Sequence, residues 1–284
     1  LLLSEFENYD DLPIPMIKNE NSKFNVALYT KDGRVLNTRD FYFKTNISEK
    51  DDEFVVSLKS SISKDMYVVY EYIFPKSGYL FTVNFKSFGM RELLDNNQPP
   101  KINWSTNVFR NSRSIDYENR YTELTFGYED DRVDYLSLSG DDEENRENIR
   151  WISYRQHFFS AILIPDSSIK NINLKSKDLS GDQILEEKFT KYFESSYLIP
   201  KQGENINTTF QFYYGPTDYK TLQNLEGDLE ASIPMGWGIF GWINKFIFLP
   251  LFGFLSSFLS YGIAIIVMTI IVRLLMSPVT YKSY

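Results

Sequence analysis

Residues Asp65 to Phe74 read DMYVVYEYIF, and Gly78 to Gly89 read GYLFTVNFKSFG. Both runs are short and rich in Val, Tyr and Phe, side chains that suit a pleated, half-buried surface. The same composition recurs on either side. KFNVALYT (Lys23 to Thr30), GRVLNTRDFYF (Gly33 to Phe43) and EFVVSLKSS (Glu53 to Ser61) precede the pair. RYTELTFGY (Arg120 to Tyr128), WISYRQHFFSAILIP (Trp151 to Pro165) and TTFQFYYGP (Thr208 to Pro216) follow it. Asn, Asp, Gly and Lys lie between the runs, and the aromatic 17% of the chain concentrates inside them. So many strands separated by turn signals predict a large antiparallel sandwich and not a βαβ fold.

The 284 residues leave room for one large β domain, or two ordinary domains, plus an anchor. Hydrophobic content of 43% and charged content of 24% are values of a chain that buries a core. A net charge of −8 argues against wrapping nucleic acid, so no nucleic-acid partner is expected. The acidic runs EDD (Glu129 to Asp131) and GDDEEN (Gly140 to Asn145) read as solvated loops. With no cysteine there is no disulfide framework, zinc knuckle or thiol nucleophile, but the compartment stays open. The chain reads as a piece of a longer one, since it starts LLLSEFENYDD without an initiator Met.

Most enzyme chemistries fail on residue supply. The single histidine, His157, lies in the strand-like RQHFFSAIL and reads as a structural residue on a strand. Triads and two-histidine zinc sites need more than it can supply. No phosphate-binding loop, dinucleotide fingerprint or nucleophile elbow is present. Carboxylate pairs remain open, because any acidic β protein offers them. The expectation is a non-enzyme with no catalytic, cofactor or metal residues.

From Pro216 to Ala231 the pattern changes to PTDYKTLQNLEGDLEA. Leu222, Leu225 and Leu229 recur at helical spacing and Asp218 is a candidate cap, so one or two helices close a domain expected to cover residues 1–231. The next segment, residues 236–259, is apolar apart from Asn244, Lys245 and its serines, with Pro250 and Gly253 inside it. An interfacial helix and a true span are both open for it. Residues 260–284 read as a transmembrane helix. Tyr261 to Tyr281 covers about 30 Å, with a tyrosine for each headgroup layer.

Arg273 breaks that run. An ionisable side chain within a span costs a few kcal/mol and is a functional candidate by default. It lies roughly 18 Å from Tyr261 and about 12 Å from Tyr281, deep for snorkelling to a headgroup. Thr269, Arg273 and Ser277 follow one another at intervals of four, and Gly262 and Thr280 project onto the same stripe. Such a stripe should face protein or a water-filled cavity, with Pro278 loosening the helix at its end.

The stretch from Gly236 to Tyr284, with IIVRLLMSPVT inside it, resembles the YidC family of membrane protein insertases. WISYRQHFFSAILIP and FYYGPTDYKTLQNL are similar to stretches near the end of that family's large periplasmic domain. The resemblance implies a mainly β fold: a large antiparallel β-supersandwich like that of galactose mutarotase, then short helices, an interfacial amphipathic helix and a transmembrane helix. It favours the interfacial alternative for 236–259 and makes 260–284 the first span of the insertase core. Arg273 matches the arginine of a hydrophilic substrate groove, with Thr269 and Ser277 beside it. The implied setting is the bacterial inner membrane, multi-pass, with the large domain in the periplasm. Implied partners are nascent membrane-protein segments, the Sec translocon and its accessory subunits, the lipid bilayer, and the ribosome through parts outside this chain. The implied role is insertase and chaperone, without a cofactor. By this resemblance the opening strands of the sandwich and the remaining spans are missing. The other reading is a membrane-anchored periplasmic sandwich that binds or acts on carbohydrate.

Overall fold

Strand Lys101–Phe109 alternates without a break. Ile102, Trp104, Thr106 and Val108 are buried, while the residues between them are partly exposed. That period of two is what a sheet covered on one face requires. The computed structural model describes residues 1–200, 205–236 and 238–282, and the chain divides into two units, Leu1–Ser232 and Ile233–Tyr284.

The first unit holds two large antiparallel sheets and a small pair, Leu2–Glu7 with Pro13–Pro15. The six-stranded sheet runs Asp142–Arg146, Ile172–Asp178, Phe189–Leu198, Lys101–Phe109, Ser22–Tyr29, Val35–Asn37. The nine-stranded sheet begins Val133–Tyr135, Glu123–Tyr128, Ile149–Arg155, Phe159–Pro165 and Asn207–Pro216. It continues Leu80–Phe88, Tyr67–Pro75, Glu53–Ser61 and Lys44–Lys50. The inner faces meet through aromatic rings. Trp104 of the smaller sheet stacks on Tyr154 of the larger at 3.8 Å between centroids, and Phe24 meets both Phe210 and Phe212 edge-on at 5.3 Å. The Tyr154 hydroxyl is satisfied where it is buried, donating to the Trp104 carbonyl oxygen at 2.8 Å. The fold is the expected mainly β sandwich.

Local readings differ from the structure at three places. WISYRQHFFSAILIP is two strands, Ile149–Arg155 and Phe159–Pro165, so His157 stands in the turn between them and not on a strand. The ladder closes when Gln156 N donates to the Phe159 carbonyl at 2.7 Å. GRVLNTRDFYF keeps only Val35–Asn37 as strand. Thr38 turns the chain there, because its buried hydroxyl accepts from Val26 N at 2.9 Å and pairs with the Tyr70 hydroxyl at 2.8 Å. The acidic run GDDEEN is not all loop: Asp142–Arg146 is an edge strand paired with Ile172–Asp178, and its charges meet Lys175 there. Gly127 shows a close approach that the sequence does not announce. A Cβ on it would collide with the indole of Trp151, its cross-strand partner.

The closing segment forms two short turns, Tyr219–Gln223 and Leu229–Ser232. Asp218 caps the first by accepting from Thr221 N at 2.9 Å, and Leu222 and Leu229 are buried.

In the second unit, Ile239–Ile243, a π turn Asn244–Phe248 and Leu249–Ser256 run as one helix. By length and composition, Ile239–Ser256 could cross a membrane. Pro250 has no N–H for the carbonyl one turn back and crowds that carbonyl, and the widened turn before it absorbs both effects. The helix start is tightly folded. A Cβ on Gly241 would sit 2.5 Å from the Gly236 carbonyl oxygen, and Asn244 Nδ2 donates to the Met235 carbonyl at 2.7 Å. Helix Tyr261–Lys282 follows.

Candidate functional site

The three sequence-predicted residues all stand on helix Tyr261–Lys282, and Thr269, Arg273 and Ser277 are exposed along it. Spacings of four bring them onto one face over about 12 Å. The Thr269 hydroxyl is turned back on its own helix, donating to the Ile265 carbonyl at 2.8 Å. That leaves the Arg273 guanidinium as the principal charge of the stripe. Gly262 is open, with nothing within 4 Å of where a Cβ would stand. The side chains of Pro278, Thr280 and Lys282 lie outside the described residues.

The opposite face is already occupied. At the turn joining the two long helices, Leu255 and Ala264 are buried, and Phe252 stacks on Tyr261 at 6.1 Å. Arg273 follows Ala264 by nine residues, about half a turn away at roughly 100° per residue. Helix packing therefore uses one side, and the polar stripe is presented on the other.

A second group of charges, inside the sandwich, was not singled out from the sequence. Glu123 and Arg155 are cross-strand partners, both almost fully buried, and form an ion pair. Lys191 is also buried, and its Nζ donates to the Leu138 carbonyl at 2.6 Å. Burial pushes the Lys191 ammonium pKa down, against the opposing pull of Asp178 and Glu123. The Glu118 carboxylate accepts from the backbone N–H groups of Asn111 and Ser112, each at 2.9 Å, and from the Ser112 hydroxyl at 2.9 Å. Burial raises its pKa even so. Apart from Arg155 Nε, which has no hydrogen-bond partner among the described residues, these groups answer one another or the backbone, which makes them a polar joint of the fold. Their signal was a charged residue inside an aromatic run, as in RYTELTFGY and WISYRQHFF.

His157 stacks on Phe158 at 3.8 Å and on Tyr121 at 4.4 Å. Burial lowers its pKa below the ordinary 6.5, and the charge of Arg155 adds to this. The unfolded chain therefore takes the proton more readily. The contribution of His157 to stability is complete above about pH 6.5 and is lost as the pH falls through the depressed folded value. With one histidine in the chain, the check is direct. His157→Gln should flatten the fall in thermal midpoint between about pH 7.5 and 5.5. An unchanged slope would assign that fall to other groups.

Comparison with known proteins places these elements. The family model described as the YidC periplasmic domain matches residues 2–250. The membrane protein insertase YidC of Parabacteroides distasonis is 31% identical over 299 residues, covering 99% of this chain and 45% of that protein. That of Bacteroides fragilis is 30% identical over 293 residues, covering 100% of the chain and 46% of the relative. The chain thus spans just under half the length of the curated relatives it matches. Among solved structures, a putative aldose 1-epimerase from Escherichia coli K12 is similar with a TM-score of 0.35 and 10% identity, over 76% of this chain and 83% of that one. With its sandwich and following helices matched nearly end to end by these relatives, the chain belongs to the YidC family.

Proposed function

We propose that this chain is the periplasmic domain and first core span of a bacterial inner-membrane protein insertase and chaperone. The observation that carries the reading is the stripe Thr269–Arg273–Ser277, set on the helix face opposite the buried Ala264. A plain anchor has no use for an arginine in its second half. One wall of a hydrated groove does, because a cation among water and hydroxyls lowers the cost of bringing a polar or acidic part of a client partway into the bilayer. The apolar part of the client then leaves sideways into lipid, driven by burial at roughly 25 cal/mol per Å². No bond is made or broken, so no catalytic residue and no cofactor are required. Partners on this reading are nascent membrane-protein segments and lipid. The Sec translocon and the ribosome would act with the complete protein. Client insertion by Arg273 variants is the decisive test.

On this reading helix Ile239–Ser256 lies along the outer membrane–water boundary, and Tyr261–Lys282 crosses. The length and apolarity of Ile239–Ser256 favour crossing as the rival arrangement. Its kink-absorbing π turn, Lys245 and aromatic residues at Phe240, Trp242 and Phe246 suit the boundary. Cysteines placed at the exposed positions Gly238 and Ser257 of the complete protein should both react with an impermeant thiol reagent from the periplasmic side. Labelling of Ser257→Cys from the cytoplasm alone would make Ile239–Ser256 the span and reverse everything after it.

A further inference from the structure

The core face of the nine-stranded sheet does not stop where its cover stops. Val83, Tyr72, Val56 and Ile47 are successive cross-strand partners on one face, and so are Phe85, Tyr70, Leu58 and Thr45. Val83, Phe85 and Tyr70 are buried in the core. Further out, Leu58, Val56 and Tyr72 are only half-buried, and Ile47 is 68% exposed. Phe54 pairs with Phe74, which meets Phe81 at 4.7 Å, and Phe54 is 41% exposed. An apolar shelf thus runs from the core to the last strand.

That last strand, Lys44–Lys50, is exposed at every position and, among the described residues, has a neighbour, Glu53–Ser61, on one side alone. The other sheet edges are shorter: Val133–Tyr135 and Val35–Asn37 have three residues each and Asp142–Arg146 has five. Short or heavily charged edges are the usual protection against strand addition. Here seven residues, about 23 Å, carry an uncharged centre of Thr45, Asn46, Ile47 and Ser48. Their outward N–H and C=O groups, hydrated in the free protein, are aligned to pair with another extended backbone.

The charges choose the occupant. The opposite face near this edge carries Lys44, Lys50 and Lys59 against Glu53. Among the described residues neither Lys44 nor Lys50 has an ion-pair partner, whereas Glu49 on the shelf side is paired with Lys76 at 2.7 Å. A strand added here would lay alternate side chains on an apolar shelf and on a cationic face. We infer that Lys44–Lys50 is a docking edge for an extended polypeptide segment alternating apolar and acidic residues, taken up by strand addition. This rests on the sandwich alone and is independent of the Arg273 reading.

The test uses the complete protein in detergent and a ten-residue peptide alternating Val and Glu. Fluorescence anisotropy should show saturable binding, and hydrogen exchange should show new protection of the backbone amides of Lys44–Lys50. Lys44→Glu with Lys50→Glu should weaken binding about tenfold or more and give binding to a Val–Lys peptide instead. Ile47→Asp should weaken both peptides. These side chains are exposed, so an unchanged thermal midpoint separates lost binding from lost folding. Protection elsewhere, or equal binding of a scrambled peptide, would overturn the proposal. So would protection of Lys44–Lys50 in the complete protein before peptide is added, whether from self-association through this edge or from a sandwich strand outside this chain.

Discussion

Glu123→Ala will destabilise the sandwich by about 3–5 kcal/mol, the usual cost of leaving one member of a buried ion pair uncompensated. Glu123 and Arg155 have 6% and 5% of their surface exposed, so water cannot replace the lost carboxylate. The Lys191 ammonium, also drawn to Glu123, would then face Arg155 with less counter-charge between them. For a unit of this size each kcal/mol moves the thermal midpoint by roughly 2–4 °C, so the drop should be about 6–20 °C. The double variant Glu123→Leu, Arg155→Met removes both charges and keeps most of the volume. It should recover the greater part of the loss, since apolar replacement of a buried pair is often neutral or stabilising. Chemical denaturation of the wild type, the single and the double variants measures this. A loss below about 1 kcal/mol for Glu123→Ala would show a pair that is solvated in practice.

Arg273→Ala in the complete protein should reduce insertion of clients with acidic residues beside the inserted segment by about tenfold or more. Two opposite charges about 6 Å apart at an effective dielectric of about 20 attract by roughly 3 kcal/mol, and 1.4 kcal/mol is already a factor of ten. Clients without such residues should suffer little. Arg273→Lys should keep much of the activity, because a groove that attracts carboxylates needs a cation more than a planar fork. Expression and membrane integration should be unchanged, since the packed side of the helix, around Ala264, faces away from Arg273. Paired insertion assays on acidic and neutral versions of one client decide it. Equal loss for both, or none for either, would reduce Arg273 to a structural or tolerated residue.

The features readable from sequence are those set by neighbours along the chain. Val, Tyr and Phe in short runs made strands, Asp218 capped its helix, and the Thr269–Arg273–Ser277 stripe followed from the helical repeat. Each depends on contacts within about four residues, so local composition carries them. Tertiary structure decided what depends on distant partners. Lys101–Phe109 is a central strand because Ser22–Tyr29 and Phe189–Leu198 flank it, from positions some eighty residues away on either side. Asp142–Arg146 pairs as a strand in spite of its charges because Ile172–Asp178 presents lysine to it. Glu123 and Arg155 are buried together because two strands align them, and neither run announces the other. The shelf beside Lys44–Lys50 exists because the smaller sheet ends at Val35–Asn37 while the larger continues. Strand composition is a property of the segment, but burial is a property of what covers it, and that cover comes from elsewhere in the chain.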